Sequence, residues 1–241
     1  KAIVQGKSNA DGIADIQAGL HDIEKHMLHF LDNHDEQRLA SPEFAGSGSN
    51  GRSLMVLSAT ISTSPVMIYF GQENGEPGSE DAGFGKRSRT SIFDYIGVPT
   101  HQRWMNNGKF DGGQSYTEEK ELREFYKRLL NFAANSPAIM GEYQELQQVN
   151  RHGTPNYGEA VYSYARWSGK ERLLVSCNLS AQETASFELK IPSELLKKWR
   201  IGDGQYDVTE QLYGRAKSKL VVKDGEGKIW VELHPSESVI Y

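Results

Sequence analysis

The sequence predicts an α/β half followed by an all-β half, the second an antiparallel sandwich. Two observations carry this. Up to about residue 140, apolar residues recur at helical spacing between short, almost wholly apolar runs. Beyond about residue 141, short segments rich in Val, Ile, Leu and aromatics follow one another, separated by turn residues. The boundary falls near Ala138 to Glu142, giving units 1–140 and 141–241.

In the first half, Asn9 or Asp11 caps a helix predicted from Gly12 to Met27, with Ile13, Ile16, Leu20, Ile23 and Met27 on one face. Met27 to Leu31 is a short apolar run ending in Asp32-Asn33-His34-Asp35, the pattern of a buried parallel strand. A Gly/Ser-rich loop, Ala45 to Gly51, leads to a helix over Arg52–Thr63. Pro65 to Phe70 is a second buried strand, ending in Gly71-Gln72-Glu73-Asn74-Gly75-Glu76. A loop of about 40 residues follows. Thr117 opens a strong helix with Leu122, Phe125, Tyr126, Leu129, Leu130 and Ala133 on one side, stopped at Ser136-Pro137.

In the second half the predicted strands are Ala160–Trp167, Arg172–Leu179, Ala185–Ile191, Lys219–Val222, Lys228–Leu233 and Ser238–Tyr241. No helix of note is expected, and Asp224-Gly-Glu-Gly227 is a hairpin turn. This unit is expected to fold independently and to serve a structural role.

Composition excludes several functions. Lys plus Arg is 27 against 32 Asp plus Glu, a net charge of −5, which argues against a nucleic-acid binder. No apolar run reaches the ~18 residues of a membrane span. The single Cys177 excludes a disulfide framework and a multi-thiolate zinc site, and reads as core. His21, His26 and His29 have the spacing of no metal motif. Asp203 to Asp207 lacks the features of a calcium loop and reads as a turn.

In a strand–helix barrel, chemistry sits at the C-terminal ends of strands. Two such ends stand out, Asn33-His34-Asp35 and Gln72-Glu73. Phe30-Leu-Asp-Asn-His-Asp35 resembles the fourth signature region of the alpha-amylase family, glycoside hydrolase family 13, at the end of its seventh barrel strand. Ser64 to Glu73 resembles the eighth-strand segment, and Ser136-Pro-Ala-Ile the junction of barrel and domain C. Asp207 to Gly214 is similar, more weakly, to a late domain C segment. The segments occur in family order along nearly the whole chain.

The resemblance implies the C-terminal portion of a TIM (β/α)8 barrel, helix six to helix eight, followed by an antiparallel β-sandwich, domain C. It implies an alpha-glucan-hydrolysing enzyme acting on starch or maltooligosaccharide. Asp35 matches the carboxylate that stabilises the oxocarbenium-like transition state, and His34 the histidine that hydrogen-bonds the same sugar. Asn33 is read as a structural neighbour. Arg38 is placed to reach substrate or a loop carboxylate. Trp104 or Tyr95, in the loop from Arg89 to Gly113, is a candidate sugar platform, against a packing role. Glu73 is read as structural. The family's nucleophile and acid/base lie on earlier strands. Before Asp35 this chain has a single glutamate, Glu24, and no Gly-x-Arg-x-Asp pattern, so the chain alone is expected to be inactive.

No cofactor is implied; some relatives bind calcium elsewhere in the barrel. The alternatives are a non-catalytic carbohydrate-binding module, or part of an alpha-glucosidase or transglycosylase. Cysteine content leaves the compartment open, with an exported, soluble location favoured. Two unpaired barrel edges are expected to be covered by the remaining barrel as a separate fragment, a second copy or a rearranged loop.

Overall fold

The computed structural model describes residues 1–20, 22–91, 96–214 and 217–241. In the first half, helix α1 is Gly12–Gly19, α2 Arg52–Thr60, α3 Pro99–Met105 and α4 Thr117–Asn135. α1 is shorter than its periodicity predicts. It ends at Gly19; Ile16 within it, and Ile23 and Met27, which would have continued the face, are exposed, so no packing holds further turns. Asp11 makes no capping bond; its carboxylate turns instead toward the second half. α2 also stops early, where the Ser62 hydroxyl accepts the Ser64 N–H just before Pro65. The long loop contains α3, whose seven residues carry no apolar stripe to announce them.

α4 is held as its pattern predicts. Leu122, Phe125, Tyr126 and Leu129 are buried, and the Glu119 carboxylate accepts the Tyr116 N–H at 3.0 Å, closing the first turn. α4 packs on α2.

The second half is two four-stranded antiparallel sheets. One has the order β1-β2-β3-β8, with β1 Glu142–Glu145, β2 Val161–Ser168, β3 Glu171–Asn178 and β8 Ser238–Ile240. The other has the order β4-β7-β6-β5, with β4 Ala185–Ile191, β5 Gly204–Thr209, β6 Lys217–Lys223 and β7 Glu226–Leu233. The six predicted strands are all present, and the turn at Asp224-Gly225 joins β6 to β7.

Two strands and two helices escape the sequence pattern. β1 is only four residues long, and β5 is exposed along most of its length, so neither alternates. Asp203–Asp207 is therefore largely strand rather than turn; the Asp203 carboxylate accepts the N–H groups of Asp224 and Gly225 at 2.9 and 3.0 Å. Helices α5, Gln147–Gly153, and α6, Ser193–Trp199, are each two turns, too short for a periodic signal.

The two halves share a core. Val161 to Arg166 is buried at six consecutive positions, because β2 is covered on both faces. Val161 and Ala165 face the second sheet with Leu174 and Val239. Tyr162 and Tyr164 face the first half, joined by Leu173, Val175, Cys177 and Ile240 to Met55, Leu129 and Ile139. The Cys177 thiol, fully enclosed, is pushed up to about 12 by burial. β7, by contrast, alternates strictly between exposed and buried, as a strand with one wet face should.

Polar links reinforce the seam. The Tyr164 hydroxyl bonds that of Thr60 on α2. Buried Arg166 on β2 donates to the backbone carbonyls of Ile61 and Ile139. Glu171 on β3 accepts the Ser136 hydroxyl at 2.8 Å and the Ala138 N–H at 2.7 Å, where the chain passes between halves. Asp11 accepts Gln147 Nε2 at 2.8 Å and Arg151 Nε at 2.7 Å from α5. Burial alone would raise the Asp11 carboxyl, but these bonds and the Arg151 charge outweigh it and hold it below its ordinary value. The division near Ala138–Glu142 is a change of secondary structure, not a break in packing.

Candidate active site

The two apolar runs meet side by side and in parallel. His29 bridges Val66, with the His29 N–H donating to Pro65 O at 2.9 Å and the Met67 N–H to His29 O at 2.8 Å. Parallel pairing puts residues after Leu31 and after Phe70 at the same end, as the sequence predicts. The two strands predicted over Met27–Leu31 and Pro65–Phe70 are reduced to this single bridge. Leu28, Phe30 and Phe70 are correspondingly exposed.

Arg38 fastens the two ends together. It is 0% exposed, with Nε 3.5 Å from the equally buried Asp32 carboxylate. Its Nη2 donates to Phe70 O at 2.7 Å, and the guanidinium lies over the Tyr69 ring at 4.7 Å. Asp32 also accepts the Leu39 N–H at 2.9 Å; burial pushes its carboxyl above the usual value, against the pull of Arg38. Of the two partners expected for Arg38, the structure shows a carboxylate, and the enclosed guanidinium holds the two strand ends together. Gly71 is required beside it: its φ is +84°, and an added Cβ would lie 3.0 Å from Arg38 Nη2.

The tip of the first segment is turned outward. Asn33 Oδ1 accepts the N–H groups of Asp35 at 2.8 Å and Glu36 at 2.9 Å, an Asx turn, the structural role expected of Asn33. It presents His34 and Asp35 to solvent, with side chains 52% and 77% exposed and His34 Nε2 3.3 Å from Asp35 Oδ2. The Arg89 guanidinium donates to the Asp35 backbone carbonyl, tying the following loop to the tip. The Arg38 N–H does the same to Ser88 O at 2.7 Å.

The neighbouring carboxylates are committed elsewhere. Glu73 pairs with Arg123 at 2.7 Å, in keeping with a structural role. Glu76 is buried and accepts the Thr100 N–H at 3.1 Å and hydroxyl at 2.8 Å. Gln72 donates to the Tyr126 hydroxyl at 2.9 Å. Exposed acidic groups at the tip are thus Asp35 and its neighbour Glu36.

Trp104 belongs to a packed ladder rather than a bare platform. Its ring stacks with His101 at 5.8 Å, meets Phe110 edge-on at 5.9 Å, and carries the Arg123 guanidinium 4.0 Å above it. That geometry favours packing over a sugar contact. Tyr95 and His21 lie outside the described residues. Sequence reasoning missed Arg89, since a loop contact over tens of residues leaves no periodic trace, and it gave Arg38 a carboxylate as one of two partners without naming Asp32. No helix among the described residues is long and apolar enough to cross a membrane.

No protein-family model matches the chain, and neither does any curated protein. Solved structures do. A noncanonic maltogenic alpha-amylase, AmyB from Thermotoga neapolitana, matches with a TM-score of 0.65 and 17% identity, over 99% of this chain and 47% of that one. The gamma-CGTase of alkalophilic Bacillus clarkii matches at 0.62 and 17%, over 99% and 30%. AmyP in complex with maltose matches at 0.56 and 18%, over 94% and 43%. The chain spans less than half the length of each. With its paired barrel-strand ends and following sandwich, the chain has the fold of the C-terminal part of alpha-amylase-type structures.

Proposed function

We propose that this chain is the C-terminal part of a retaining alpha-glucan hydrolase acting on alpha-1,4 bonds of starch or maltooligosaccharide. The observation that supports it most is the outward-facing His34–Asp35 pair, held by the Asx turn and by Arg89 at the shared end of two parallel segments. Such a carboxylate stands where positive charge develops on a sugar in an oxocarbenium-like transition state. Asp35 stabilises that charge, and His34 hydrogen-bonds the sugar before and during reaction. Asp32 and Arg38 set the position of the tip without touching substrate.

The nucleophile and the acid/base, which a retaining enzyme needs about 5–5.5 Å apart, are supplied by a part of the protein outside this chain. The same part covers the open edge marked by exposed Leu28, Phe30 and Phe70. The likeness to a cyclodextrin glucanotransferase as well as to amylases fits this chemistry, because a glycosyl-enzyme intermediate can be resolved by water or by a sugar hydroxyl.

In the complete protein, Asp35→Asn is expected to lower kcat on maltoheptaose by about 10²–10³-fold. Substrate affinity should change only a few-fold. The 241-residue chain alone is expected to release no reducing sugar. Near wild-type kcat in Asp35→Asn, or robust turnover by the chain alone, would overturn the assignment.

A further inference from the structure

A second concave surface shares no residue with the strand end. It is a cleft of about 1000 Å3 between α2, α4 and the sandwich. Trp230 stands on it, on the solvent face of β7, and is 56% exposed. Most other outward positions around it are charged, Glu188 directly across on β4 and Lys228 and Glu232 along β7, with exposed Val221 on β6 beside Lys228. An indole left more than half in water can be covered by a ligand with a flat apolar face.

Deeper in the cleft the chemistry is polar. The Nε of Arg52 and the Oγ of Ser236 are buried and find no hydrogen-bond partner among the described residues. Arg52 lies over the Phe125 ring at 5.7 Å. Glu237 uses one oxygen to accept the His234 N–H at 2.8 Å. Tyr213 adds a second ring, with Arg128 above it at 5.3 Å.

The lining carries four cations and five carboxylates, so it has no field for a polyanion and is too charged for a lipid tail or an apolar helix. Rings for C–H faces, together with a guanidinium, a carboxylate and a hydroxyl for O–H groups, suit a neutral polyhydroxylated chain.

We propose that this cleft is a non-catalytic binding site for an alpha-glucan chain, with Trp230 as its stacking platform and Arg52, Glu232 and Ser236 as its polar contacts. The glucan identity rests on the reading of the strand end; the carbohydrate class rests on the cleft itself. The site would hold a long substrate on the face shared by α4 and the sandwich while another stretch reacts.

The test is calorimetric titration of the 241-residue chain with maltoheptaose. Trp230→Ala is expected to weaken binding at least 10-fold, Glu232→Gln by several-fold, and Trp230→Phe to retain most of it. Lys170→Ala, at an exposed turn outside both sites, should leave it unchanged. Because Trp230 is exposed, its variants should melt with the parent, which separates lost binding from lost fold. Binding that survives Trp230→Ala but is lost in Asp35→Asn would overturn the cleft and leave the proposed function standing. Trp230-dependent binding of cellohexaose with none of maltoheptaose would overturn the alpha-glucan assignment. No binding of maltoheptaose at millimolar concentration would overturn the inference outright.

Discussion

Cutting the chain at the start of β1 tests the shared core directly. A segment 142–241 would keep both sheets but uncover the face of Tyr162, Tyr164, Leu173, Val175, Cys177 and Ile240, all buried against the first half. At roughly 1.5–2 kcal/mol for each side chain returned to water, the loss is on the order of 10 kcal/mol. Whole domains are stable by about 5–15 kcal/mol. The segment also loses the Thr60 partner of Tyr164 and the Ile61 and Ile139 carbonyls that hold Arg166, leaving that guanidinium unsatisfied. It is therefore expected to be a loosely packed, dye-binding species, contrary to the independent unit that its strand pattern suggests. The assay is 8-anilinonaphthalene sulfonate fluorescence with near-ultraviolet circular dichroism through a denaturant titration. A monodisperse monomer with sharp cooperative unfolding and no dye binding would refute the reasoning.

Two further outcomes are expected. Arg38→Met leaves Asp32 buried without its cation and should cost about 3–5 kcal/mol, read as a fall in melting temperature. Pairing it with Asp32→Asn should recover part of that loss, and additive losses would show that the two groups are not coupled. Asp11→Asn should destabilise by about 0.5 kcal/mol at neutral pH, a small figure because the carboxylate is 43% exposed and screened. The folded-state value of Asp11 is depressed, so its contribution is present above the unfolded value of about 3.9 and is lost as pH falls through the folded one. Melting curves of parent and variant should differ at pH 6 and converge toward pH 2–3; a difference that persists at low pH would discount the ionic link.

Residues with a repeat were legible in the sequence, and residues held singly across long loops were not. α4 declared itself because burial recurs at helical spacing, β4, β6 and β7 because it alternates, and β2, β3 and β8 because short runs rich in apolar residues lie between turn residues. The run Val161–Arg166 carried a fainter signal: apolar residues fall on both faces of an antiparallel strand, Val161 and Ala165 on one and Tyr162 and Tyr164 on the other, which means cover on both faces, yet an independent sandwich was the expectation. β1, β5, α5 and α6 are too short or too exposed to repeat. At the site, Asn33-His34-Asp35 was visible because a polar triplet closes an apolar run. The fate of Arg38 was not, because its partners Asp32, Phe70 and Tyr69 are brought together only by parallel pairing. For Trp104, composition could not separate a free ring from one already capped by Arg123.

The buried guanidinium of Arg38 acts as a gauge between two strand ends that share only one bridge. In a closed ring of strands, the spacing of neighbouring ends is imposed by the whole circumference. Here it is imposed by the span of one planar group reaching from Asp32 to Phe70, with Tyr69 beneath it. The mouth is therefore set before anything closes over the open edge. An arriving partner would meet His34 and Asp35 already in place, and the entropy of arranging them would have been spent in folding this chain rather than in the encounter.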